Sequence, residues 1–142
     1  FPSTRIALNH MGTPLGIAGY EHQRADVMQQ WTAGMKQLAG CENVVVKLGG
    51  MGIRPAGMEF WNHPAPLTSE RLAELMRPCV HTCIDFFGAG RCMFESNFPV
   101  DKASYSYRTC WNIFKRLASG ATPLEKRWLF QDTAATFYGL GK

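Results

Sequence analysis

This sequence lacks a long apolar run. None approaches the ~20 residues that a membrane-spanning helix needs, so no membrane partner is expected. The opening residues carry no signal-peptide pattern. Charge is thin as well: 18% of residues are Asp, Glu, Lys or Arg, below the usual share of roughly a quarter. The net charge of +4 is spread along the chain. Only a small basic group stands out, at Lys115, Arg116, Lys126 and Arg127. That is no nucleic-acid stripe, and no nucleic-acid partner is expected. A disulfide framework is missing too. The 5 cysteines are odd in number and scattered, which points to a reducing compartment, with the cytoplasm as the expected location. Cys79-Val80-His81-Thr82-Cys83 is not a zinc motif. On a helix, Cys79 and Cys83 share a face and His81 points away, so buried thiols are expected.

What is present suits one core. The chain has 142 residues, 46% of them hydrophobic, enough for a single domain over 1–142. Three short apolar runs, each ended by a breaker, read as strands: Ile6-Ala7-Leu8, Val44 to Leu48, and Cys92-Met93-Phe94. The Val44 run lacks strict alternation, as in a strand covered on both faces. Helices are expected over Glu21 to Ala39 with Gly40 as its cap, over Ser69 to Phe87, and over Ser104 to Ala118. Pro78 should kink or split the second of these near Arg77. Thr122-Pro123-Leu124-Glu125 is a capping box opening a helix to about Phe130. Asp132 then caps a last short helix ending at Gly139. The segment from Ile53 to Leu67 reads as a long irregular loop. Strand and helix alternate, so the sheet is expected to be parallel and the class α/β. Three strands leave edges open. The chain also begins at Phe1 rather than Met. Together these suggest a piece of a longer or processed protein, whose remaining strands come from elsewhere: the rest of the fold or a homo-oligomer.

The stretch that organises the chain is RCMFESNFPVD, Arg91 to Asp101. It reads as a buried strand breaking at Pro99, with Glu95, Ser96, Asn97 and Asp101 delivered near its end. Apolar strand, polar residues, then a turn is how an α/β enzyme places chemistry at the carboxyl ends of its strands. Ile6 to Pro14 repeats that grammar, with Asn9 and His10 after the strand. Glu95 shares a face with Asn97 by alternation and needs a partner such as Lys47 or Arg91. Lys47 itself reads as half of a structural ion pair.

Together IALNHMGTP, NVVVKLGGMG, RCMFESNFPVD and the terminal DTAATFYGL resemble the amidohydrolase-related superfamily. This is the branch of TIM-barrel metal-dependent hydrolases that includes pyrone-dicarboxylate lactonase-like enzymes. The resemblance covers nearly the whole chain. It implies the C-terminal part of a (β/α)8 TIM barrel, about three βα units plus terminal helices. It also implies a hydrolase acting by water attack on a small carbonyl substrate, a lactone, cyclic ester or amide. The alternatives are a decarboxylase of the same superfamily and a catalytically silent barrel piece serving as an assembly module.

Carried over by position, His10 matches the family's strand-end histidine, a metal ligand or carbonyl contact. Asn97 stands where the family's SDWP aspartate is expected, and an amide accepts no proton at neutral pH. Base work then falls to Asp101 or Glu95, so the catalytic candidates are His10, Asp101 and Asn97. Arg54 and His63 on the long loop are the substrate-binding candidates. His10 would bind metal only if the missing first-strand ligands were supplied, because the family's HxH motif occurs nowhere here. The cofactor expectation is one divalent metal, such as zinc, or none.

Overall fold

The computed structural model of the chain describes residues 1–140. Its centre is a parallel sheet in the order β1-β2-β3, formed by Ile6–Leu8, Val44–Leu48 and Cys92–Phe94. Ile6 aligns with Val44, and Val46 with Cys92. The three strands lie where the apolar runs placed them.

One face of β2 carries Val44, Val46 and Leu48, all buried, while Val45 and Lys47 on the other face are half-buried. The buried face joins a core with Met35 of α1 (Arg24–Ala39) and Leu72, Met76, Val80 and Cys83 of α2 (Ser69–Phe87). Fully enclosed side chains such as Leu48 and Leu72 each contribute roughly 1.5–3 kcal/mol of transfer free energy.

Helix α1 starts at Arg24, three residues past the expected start at Glu21, because Glu21 and Gln23 close a turn. The Gly19 amide donates to Glu21 Oε2 at 2.8 Å, and Gln23 Nε2 donates to the Gly19 carbonyl at 2.8 Å. Gly40 caps the helix in right-handed geometry. Pro78 does not split α2. It sits on the exposed side, so the carbonyl it leaves without a donor faces water, while buried residues on both sides of it grip the sheet. Gly88 closes α2 as expected. Helix α3 is Tyr107–Leu117, capped by Ser106, which accepts from the Thr109 amide at 3.1 Å. Ser104 is held outside the helix, donating to the Gly52 carbonyl at 2.7 Å.

The capping box at Thr122 forms as read, opening α4 (Pro123–Arg127). The division expected near Asp132 is absent. A π-helical turn over Trp128–Asp132 joins α4 to α5 (Thr133–Tyr138), and Asp132 pairs with Arg127 at 3.0 Å instead of capping. Thr133 bonds the Ala89 and Gly90 carbonyls, and Arg5 stacks on Phe137 5.5 Å from the ring centre. These contacts tie the C-terminal helices to the residues just before β3 and β1. No helix among the described residues is long and apolar enough to cross a membrane.

Candidate active site

In a parallel sheet every strand points its carboxyl end the same way, so the residues after the three strands gather at one end. Here all three exits are tight. His10 and Met11 after β1, Gly50 after β2 and Asn97 after β3 have φ of 53°, 54°, 69° and 52°. Left-handed backbone costs ~1–2 kcal/mol at a non-glycine residue, and such strain clusters at functional sites. The turn after β1 is anchored by the Trp31 indole, which donates to the Met11 carbonyl at 2.7 Å.

The three exits bring together His10, Lys47 and Glu95. Glu95 Oε1 accepts from His10 Nδ1 at 2.5 Å and from the His10 backbone amide at 3.2 Å. Its Oε2 accepts from Lys47 Nζ at 2.9 Å. Their side chains are 12% (Glu95), 24% (His10) and 23% (Lys47) exposed, so the cluster is sheltered yet reachable. Burial pulls the Lys47 ammonium down, but its hydrogen bond to Glu95 and that carboxylate's charge outweigh burial. With help from Tyr138, the pKa of Lys47 lies above the ordinary 10.5. Lys47 is a charged partner at neutral pH and no free amine.

An ionised carboxylate only accepts, so the proton of a neutral His10 sits on Nδ1 and its Nε2 carries a lone pair. Nε2 has no hydrogen-bond partner among the described residues. Two glycines make this packing possible. A Cβ on Gly50 would fall 2.2 Å from His10 Nδ1, and one on Gly49 would fall 2.1 Å from the Glu95 carbonyl oxygen.

Asn97 and Asp101 form a second, separate knot. Asp101 is 0% exposed. Its Oδ1 accepts from Asn97 Nδ2 at 2.7 Å, and its Oδ2 accepts from Tyr105 OH at 2.5 Å and the Gly52 amide at 3.3 Å. Burial and the Asp101 charge push the Tyr105 phenol far above its usual range. The knot ties the loop after β2 to the loop after β3. β3 ends at Phe94, so alternation does not carry through to Asn97, and Glu95 and Asn97 turn to different partners. Arg91, the other partner considered for Glu95, instead donates to the Phe87, Ala39 and Cys41 carbonyls.

Arg54 is exposed and lines a groove of about 560 Å³ with Trp61, Val100 and Ala103, beyond the ends of β2 and β3. His63 is exposed and does not line this groove. Neither is hydrogen-bonded to the His10 cluster. From sequence, Glu95 was an alternative base and a charge in need of a partner, Lys47 half of an ion pair, and the two glycines had no site role. Their signal was the charge inside an apolar strand and the Gly-Gly that ends it.

The donors do not make a metal site on their own. No cluster of three or more His, Cys, Asp and Glu side chains among the described residues could hold an ion. Both Glu95 oxygens are engaged, one by a cation, and Asn97 presents an amide.

The class is α/β with a parallel three-stranded sheet, and a histidine, a carboxylate and a lysine meet near its carboxyl ends. The chain belongs to the amidohydrolase family, whose model matches residues 1–140. It is 41% identical over 138 residues to the uncharacterized protein y4mH of Sinorhizobium fredii, covering 97% of this chain and 40% of that protein. It is 31% identical over 137 residues to an L-fucono-1,5-lactonase of Burkholderia multivorans, covering 95% and 43%. A crystal structure of a Burkholderia multivorans amidohydrolase with bound HEPES superposes with a TM-score of 0.78 at 25% identity, covering 94% of this chain and 44% of that one. A second crystal form of that amidohydrolase contains zinc. The chain thus spans less than half the length of these relatives.

Proposed function

We propose that this chain supplies the last three βα units and terminal helices of a barrel hydrolase acting on a small cyclic ester, with lactones first among the substrates. The observation that carries this reading is the free Nε2 of His10, held at the carboxyl end of β1 by its bond to Glu95. Family membership and the lactonase relative support hydrolysis.

In this reading a water oxygen attacks the ring carbonyl carbon, and His10 Nε2 takes the proton that water loses. The tetrahedral centre then collapses, the ring C–O bond breaks, and the proton passes to the departing alkoxide. General acid–base transfer of this kind contributes typically ~10²–10⁴-fold. The Lys47 ammonium adds positive potential near the developing oxyanion. Asp101, the other candidate base, has its oxygens occupied by three donors. We assign it, with Asn97, to holding the two loops. In this reading Arg54, which lines the groove with Trp61, pairs with the carboxylate of a carboxylated substrate.

The test is a panel of aldono-lactones, carboxylated pyrones and cyclic amides assayed with the whole polypeptide that contains this chain. Hydrolysis of one class with saturation supports the reading. Decarboxylation, or no turnover by a folded protein, overturns it.

A further inference from the structure

The His10–Glu95 contact holds more than a charge pair requires. One carboxylate oxygen, Oε1, binds both the His10 ring at Nδ1 and the His10 backbone amide, at 2.5 and 3.2 Å. The other oxygen is tethered by Lys47 at 2.9 Å. Glu95 is therefore fixed at both oxygens, and it fixes His10 at two atoms. The glycine floor leaves the ring no freedom on that side, since even a methyl group on Gly50 would collide with Nδ1. Lys47 lies in β2 and Glu95 directly follows β3, in the register that sets Lys47 opposite Met93. Two residues past Met93, Glu95 falls on the same face.

We propose that Glu95 is a positioning residue that holds His10 in the Nδ1–H tautomer and aims its Nε2 lone pair away from the sheet, with Lys47 locking Glu95 in place. The proposal deepens the hydrolase reading and rests on it for its kinetic consequence, but the tautomer itself does not depend on turnover. An acceptor on one imidazole nitrogen determines which nitrogen carries the proton. A glutamine there loses that control, because its amide can donate as well as accept.

The experiment is long-range ¹⁵N–¹H correlation NMR on protein labelled at histidine, above the pH at which imidazoles are neutral. His10→Gln identifies the His10 signals. The wild type should show a protonated Nδ1 and a bare Nε2. Glu95→Gln should move the proton to Nε2 or mix the tautomers, and Glu95→Asp should restore part of the wild-type pattern. In the whole enzyme Glu95→Gln should lower kcat by ~10²-fold or more with KM little changed. A wild-type His10 protonated on Nε2, or a Glu95→Gln tautomer unchanged from wild type, overturns the proposal. The wild-type spectrum, assigned with His10→Gln, decides even if the Glu95 variants do not fold. If the tautomer is as stated but His10 proves dispensable for turnover, the hydrolase reading fails and the tautomer lock stands.

Discussion

Asp101 shows how far a residue's surroundings can reverse what its type suggests. An acid in a loop after a strand reads as solvated or catalytic. Here it is sealed, and its partners are a phenol, an amide and a backbone N–H, with no cation. A carboxylate buried in this way depends on every donor. Asp101→Ala leaves three donors unpaired, of which the Tyr105 hydroxyl and the Gly52 amide are buried and cost ~1–3 kcal/mol each, while Asn97 is half-buried. Urea denaturation should show a loss of about 3 kcal/mol or more. Tyr105→Phe, which removes one donor of the three, should cost about 1 kcal/mol. Equal losses from the two changes would mean that Asp101 is not the hub. None of this was legible in the sequence, because a polar loop residue gives no sign of its burial. Glu95 and Lys47 were half legible. Each reads as a charge in an apolar strand that needs a partner. That they meet each other depends on strand register, and a slip of one residue would turn Lys47 to the opposite face.

At the scale of elements, local chemistry was a good guide where it had no competitor. The three strands are bounded by glycines or polar residues, and each forms where its apolar run lies. The Thr122 capping box needs only four consecutive residues, and it forms complete, with both reciprocal bonds. Thr122→Ala should therefore cost about 1 kcal/mol, seen as a lower urea midpoint at unchanged m-value. No change would mean that the helix is held by packing alone. Tertiary packing overrode local signals elsewhere. Pro78 stays within α2 because a continuous buried stripe holds the helix to the sheet. The expected break at Asp132 becomes a π-helical turn with Phe130 packed 4.8 Å from Phe94, ring centre to ring centre. A stop signal read from two or three residues cannot anticipate burial of that kind.

At the scale of the molecule, the cysteines report on packing and the edge of the sheet on what can stand beside it. Cys79, Cys83, Cys92 and Cys110 are buried and Cys41 is exposed, all as free thiols. Burial pushes the Cys92 and Cys110 thiols up to about 12, and Cys79 and Cys83 also rise. Labelling of the native protein by a thiol reagent at pH 8 should give one fast site and four that react only after unfolding. Two or more fast sites would contradict the packing of α2 and α3 against β3. The free edge of β1 carries Ile6, 41% exposed, and has no neighbouring strand among the described residues. An open apolar edge of this kind favours another strand beside it. That suits our proposal that the remaining barrel strands complete the fold. The family was legible in the order and spacing of motifs, while the substrate was not, because no motif in the chain specifies one.

In our proposal His10 carries the chemistry from the end of β1. The most direct measurement is kcat/KM for lactone hydrolysis by the whole polypeptide, wild type against His10→Ala, with the fold of each checked by circular dichroism. A fall of ~10²–10⁴-fold with the fold intact is expected. Unchanged turnover by a folded His10→Ala protein would contradict it.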